Sequence, residues 1–364
     1  MMLDPKQKNK VSPYFTFYLI CSSQVNVGLF GFQRYIAKEV GQDAWVAVIL
    51  VGLSTHLLVW ICYQILNKGK NDIIGIHHDL FGKWIGGLLS FILTAYFLAL
   101  VIIWTRTYVE VIQVWLVTFI DSRWILALIL ALVYYYASGG FRIITGISFF
   151  SGIIIIIMLF TLYFPLKDVH FYNLIPMFDH SINDQFKAMK EMVYSYLGFE
   201  FILIFYPFLD QVGKSRKWAH LGVLFTMFIY LAFTIVSLAY FNIDQLAYTV
   251  WPTLTLWQKI ELPFIERFEF IGISLWLFLV LPGICLGLWA SSRTIKKIFH
   301  INQRIILLLM IGIVFISNNL IVDRQQVNLY TKLINNIGSC VMYIYIPLLF
   351  LSQIIIYRVR KNET

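Results

Sequence analysis

Asn26-Val27-Gly28-Leu29-Phe30-Gly31 and Leu197-Gly198-Phe199-Glu200 decide how this chain is read, because each sets glycine, and the second also a carboxylate, inside a long apolar run. The runs around them approach twenty residues and are apolar all round, the length at which a helix crosses bilayer hydrocarbon. With 60% hydrophobic, 17% aromatic and 13% charged residues, the chain lacks the polar surface of a soluble domain, which is about a quarter charged. The fold class that follows is all-α, a polytopic membrane protein.

Counting such runs gives about ten spans, near 13–37, 44–66, 84–117, 122–138, 143–165, 192–212, 219–241, 268–291, 304–322 and 337–357. The third is long, so it should tilt or project beyond the hydrocarbon, and the fourth is short. Ten spans divide into two groups of five, and the odd number inverts one half relative to the other. The expectation is one membrane domain, residues 1–364, with repeats at about 13–165 and 192–357. Inverted repeats of this kind break the first helix of each half near the midplane, where free backbone groups bind polar ligand atoms. Spans 1 and 6 both carry the glycines, with Gly28 roughly 21 Å along span 1 at 1.5 Å per residue. Glycine also recurs in membrane helices for close packing, so it is the corresponding position in the two halves that points to paired breaks.

The formal charge of +9 does not point to nucleic acid, because the basic residues form small clusters between apolar runs and no single stripe. Placing the N-terminus inside puts 17 of the 28 Lys and Arg residues on the inner side, which predicts that both termini are cytoplasmic. Met1 to Val11 is polar and basic with no convincing cleavage site after it, so the first span is expected to be retained. Cys21, Cys62, Cys285 and Cys340 stand isolated in apolar segments, without metal or disulfide spacing, and read as small core residues.

Glu200 is the most informative ionisable residue. A carboxyl group inside a span must face the bundle interior, be protonated or have a partner. It could couple protons, meet a ligand amine, or accept from unwound backbone amides of span 1. Arg106 and Glu110, four apart, are expected to pair on one face of span 3, and Glu266, Arg267 and Glu269 to form a polar cluster at the outer end of span 8. His56 reads as a hydrogen-bonded core histidine and His77-His78-Asp79 as an interfacial loop. Ser181 and Asp184 have capping-box-like spacing ahead of Phe186, Met189 and Met192, which predicts a short amphipathic helix on the outer surface. Walker motifs, serine-triad elbows and zinc signatures are absent from the sequence, so neither an enzyme nor a cofactor or metal site is expected.

Asn173-Leu174-Ile175-Pro176, Gly198-Phe199-Glu200 with Tyr206-Pro207-Phe208, Trp251-Pro252-Thr253-Leu254 and Glu266-Arg267 occur in an order and spacing that resemble one family. It is the B subunit of nutrient germinant receptors of endospore-forming bacteria, the GerAB-type branch of the amino acid-polyamine-organocation permease superfamily. The chain departs from amino-acid permeases at Gly28-Leu29-Phe30-Gly31, where these usually carry a tighter Gly-x-Gly. The resemblance implies a LeuT-like five-plus-five fold in the inner spore membrane. It also implies a small nutrient ligand, often an amino acid, and A-type and lipoprotein C-type partner subunits. The ligand is then expected between spans 1, 6, 3 and 8, against Val27, Gly28, Leu29, Gly31, Tyr96, Leu100, Leu197, Gly198, Phe199, Glu200 and Cys285. The alternatives are a proton-coupled amino-acid transporter and a scaffold for partner subunits.

Overall fold

The computed structural model describes residues 10–261, 263 and 265–362, with only the backbone of 361 and 362. All ten apolar runs are helical. In chain order the helices are α1 (Phe15–Gln24), α2 (Phe32–Val40), α3 (Ala44–Gly69), α4 (Ile73–Trp115), α5 (Ser122–Ser138), α6 (Phe141–Phe160), α7 (Ile182–Tyr196), α8 (Phe199–Phe208), α9 (Val212–Tyr240), α10 (Ile243–Tyr248) and α11 (Pro252–Trp257), both between the seventh and eighth runs, α12 (Phe268–Phe299), α13 (Gln303–Leu320), α14 (Arg324–Cys340) and α15 (Ile346–Asn362). A π-helical turn, Val341–Tyr345, joins the last two. Among the described residues seven helices are individually long and apolar enough to cross a membrane. The remaining three runs are α5, one residue short of that length, and the two interrupted ones, α1/α2 and α7/α8.

The interrupted helices occupy the middle of the bundle. Helix α1 packs on α6, α9 and α12, while α2 packs on α7, and α12 lies against α4, α5, α6 and α13. Apolar burial cannot drive this association, because lipid tails are as apolar as leucine, so close packing must. Aromatic pairs supply much of it: Phe97 with Phe201 and Phe30 with Trp276 both have ring centroids 4.7 Å apart, pairs worth about 0.5–1.5 kcal/mol beyond burial.

Polar contacts gather the basic segments at one end. Arg360 pairs with Asp79, Lys297 with Asp72, the Tyr206 hydroxyl bonds Asn67, and the Val11 amide donates to the Phe208 carbonyl. At the opposite end buried Asp43 accepts from the amides of Phe178 and Asp179 at 2.6 and 3.1 Å and contacts His180 Nδ1 at 3.2 Å.

Several expectations change. The Ser181 cap forms, with its Oγ accepting from the Asp184 amide, but the helix it starts is no separate surface element. It runs on to Tyr196 as the first half of span 6, held by α2, α3 and α14. His77 lies in a helical segment ending at Gly82, where φ 75° kinks α4. It is buried between Ser90 Oγ (2.8 Å) and the Tyr345 hydroxyl (2.5 Å). Cys340 is exposed, unlike the other three cysteines. Arg106 and Glu110 do not pair as predicted. Arg106 donates to the Ile321 and Val322 carbonyls just past α13, which a helix end leaves unsatisfied, and Glu110 takes Arg324 at 2.9 Å. The Arg267–Glu269 pair forms at 2.9 Å, and His56 bonds Nδ1 of a second histidine, His220, at 3.0 Å.

Candidate functional site

Span 1 leaves the helix at Val25 and Asn26, passes through a 3₁₀ turn at Val27–Phe30 and resumes after Gly31. The Asn26 side chain caps the turn by accepting from the Val27 amide at 2.7 Å. Two of the carbonyls at the break take side-chain donors. Tyr230 donates to the Gln24 carbonyl at 2.9 Å and Thr253 to the Leu29 carbonyl at 2.6 Å. Gln33 in turn donates to Thr253 Oγ1 at 2.8 Å. Gly31 is required by close approach, since a Cβ there would lie 2.7 Å from the Val250 carbonyl oxygen. The Trp251-Pro252-Thr253 segment, with proline in the first turn of α11, thus seals the break of span 1.

Span 6 breaks at Leu197, which is extended, and Gly198, whose φ of 108° is left-handed. Its Cα rests on α1, where a Cβ would meet the Ser23 carbonyl oxygen and Cβ at 2.9 Å. Glu200 is fully buried and closes this break: Oε2 accepts from the Gly198 amide at 2.8 Å and Oε1 from the Tyr96 hydroxyl at 2.5 Å. Of the readings open for Glu200, the one that gave it backbone amides placed them in span 1, whereas the amide it accepts from belongs to span 6 itself. The two breaks are tied to each other, because Gln24 Nε2 donates to the Tyr196 carbonyl at 2.9 Å.

A cavity of about 290 Å³ opens where the breaks meet, lined by Val27, Gly28, Gly31 and Phe32 on one side and Tyr194 and Ser195 on the other. The rest of its lining mixes charged and polar side chains, Lys38, Glu39, Glu191, Arg324, Lys332 and Asn335 among them, with apolar Trp251 and Val327. Arg324 sits over the Trp251 ring at 5.2 Å while holding Glu110. Its Nε and the Asn335 Oδ1 are buried with no hydrogen-bond partner among the described residues.

Of the residues singled out in the sequence, the structure brings Val27, Gly28 and Gly31 to this cavity. Gly198, Glu200 and Tyr96 form the hydrogen-bonded support of the span 6 break. Leu29, Leu100 and Phe199 are buried in packing, and Leu197 lies against Gly338 of α14. Cys285 points at the Val133 carbonyl of α5, 3.8 Å away. Arg324, Glu191 and Asn335 were not anticipated, although Arg324 stood in view as a cation flanking an apolar run. Depth within a span does not reveal which face a residue presents.

The family model for "Spore germination protein" matches residues 10–327. The chain is 41% identical over 97% of its length, and 98% of the relative's, to spore germination protein GerQB of Bacillus cereus. It is 21% identical to spore germination protein A2 of Bacillus subtilis (strain 168), covering 96% of this chain and 95% of that one. Among solved structures it is similar to a sodium-coupled sialic acid symporter in a substrate-bound, outward-open state. That similarity has a TM-score of 0.67 at 14% identity, over 91% of this chain and 77% of the symporter. At that identity the similarity establishes the fold, a LeuT-like helical bundle, and nothing about cargo.

Proposed function

We propose that this chain, which belongs to the spore germination protein family, is the permease-like sensing subunit of a nutrient receptor that triggers endospore germination. It works as one membrane domain of two inverted repeats, about 13–165 and 192–357, in the inner spore membrane with both termini cytoplasmic. A-type and lipoprotein C-type subunits are its partners. The observation that carries the sensing role is the cavity at the junction of the two breaks. Its volume, about 290 Å³, lies at the small end of ligand pockets. Its wall offers both carboxylates and cations, which suits a small zwitterion such as an amino acid. Ligand that binds one arrangement of the breaks more tightly shifts the population toward it, and a partner can read that shift.

Arg324→Lys tests the site. Lysine keeps a charge for Glu110 but loses the planar fork and the free Nε. Losing one charge-assisted bond of roughly 1.5–3 kcal/mol should raise the nutrient concentration for half-maximal germination about tenfold or more at unchanged protein abundance. A deletion strain screened against single nutrients identifies the nutrient first. An unchanged dose response in the lysine variant would remove the cavity from the proposal. Concentrative uptake of labelled nutrient by the isolated chain in vesicles, with no germination defect in the deletion strain, would replace sensing by transport.

Orientation has its own test. In a Cys340→Ser background, cysteine at Lys187, exposed beyond the capped start of α7, should react with an impermeant thiol reagent added outside intact cells. Cysteine at Lys217, exposed at the basic end, should not react. The reversed pattern would invert the topology.

A further inference from the structure

We propose that a groove between α4 and α14–α15 holds an acyl chain of an anionic phospholipid from the leaflet at the basic end of the bundle. The groove encloses about 750 Å³ and is lined by Leu93, Tyr96 and Ala99 of α4 against Val341, Ile344 and Leu348. Its flanks carry exposed Leu88, Phe91 and Leu351, apolar surface suited to contact with hydrocarbon. The walls offer methylene and aromatic surface, which matches a lipid tail.

Two features select a lipid with a negative headgroup. Lys83 stands two residues from Phe81, and Arg358 six residues beyond Ser352, both of which line the basic end of the groove. Both side chains are exposed and make no ion pair or hydrogen bond among the described residues, whereas Lys297 and Arg360 at the same end are engaged by Asp72 and Asp79. Beside them Trp84 is 92% exposed, as an aromatic at headgroup level should be. Each free cation near the surface attracts an anionic lipid by about 1 kcal/mol, or roughly fivefold.

The site is also built into the backbone. The π-helical turn Val341–Tyr345 forms part of the wall, and π-turns inside helices concentrate at functional positions. Tyr96 forms another part, and its hydroxyl holds Glu200 at the span 6 break. A chain seated in the groove therefore packs on the ring that supports the break.

Cys340 lines the groove and is exposed, while the other three cysteines are buried, so the full chain can be labelled there with bimane without further engineering. In phosphatidylcholine vesicles, dibrominated phosphatidylglycerol should quench the label at a mole fraction at least about threefold lower than dibrominated phosphatidylcholine does. Lys83→Gln with Arg358→Gln should abolish that preference, and Ala99→Trp, which fills the groove, should weaken quenching by both lipids. Equal quenching by the two lipids in the unmodified protein, or a preference that survives the double neutralisation, would overturn the proposal. Complete shielding of the label from both lipids once partner subunits are bound would also overturn it, assigning the groove to a partner helix.

Discussion

Gly198→Val lowers the thermal stability of the detergent-solubilised protein far more than Gly87→Val does. The two positions are both glycines of membrane helices, but a Cβ at Gly87 meets open space. At Gly198 the backbone has φ 108° and a Cβ would lie 2.9 Å from the Ser23 carbonyl oxygen. The left-handed conformation costs a non-glycine residue about 1–3 kcal/mol, and overpacking adds about 1–3 kcal/mol. Because the clash is with backbone and begins at Cβ itself, Gly198→Ala should already show most of the loss. Size-exclusion profiles after heating measure this directly. A midpoint for Gly198→Val equal to that of Gly87→Val would show that α1 and the span 6 break do not meet as described.

Glu200→Gln retains most of the wild-type response, whereas Glu200→Ala loses it together with stability. Glutamine can accept from the Gly198 amide through its oxygen and donate its amide to the Tyr96 hydroxyl oxygen, which reproduces both bonds with one of them reversed. Alanine leaves the Gly198 amide and the Tyr96 hydroxyl buried and unpaired, at about 1–3 kcal/mol each. Tyr96→Phe should fall between them, because it strips one oxygen of its donor. Germination dose response and thermal midpoint, measured on the same four proteins, check the order. If Glu200→Gln were as inactive as Glu200→Ala while fully stable, the carboxylate would be needed for its charge or proton and not for its two acceptors.

What the sequence made legible follows from range. The ten apolar runs and the two glycine breaks are local signals and all appear as helices and breaks, including the short fourth run, although the sixth begins ten residues earlier than read, at Ile182. The same holds for the Ser181 cap, although a cap says where a helix starts and nothing about what it packs on. Long-range partners were out of reach, at the breaks and elsewhere: Tyr96 and Glu200 are 104 residues apart, Leu29 and Thr253 224, and His56 and His220, away from the breaks, 164. Arg106 shows how a sound local rule loses. The four-residue spacing to Glu110 favours a pair worth a few tenths of a kcal/mol, but two unsatisfied carbonyls near the end of α13 offered buried charge-assisted bonds. The motifs that suggested the family sit at these long-range ties. Gly198-Phe199-Glu200 is the closed break of span 6, and Trp251-Pro252-Thr253 seals span 1.

The bond from Thr253 to the Leu29 carbonyl makes a mechanical linkage of two elements far apart in the chain. Helix α11 is a single turn-and-a-half between two loops, while Leu29 lies in the 3₁₀ turn beside the cavity. At 2.6 Å the bond has no slack, so a ligand that repositions this turn must either break it or drag α11 along. The short helix is therefore coupled mechanically to the interior, and movement of the turn and movement of α11 go together.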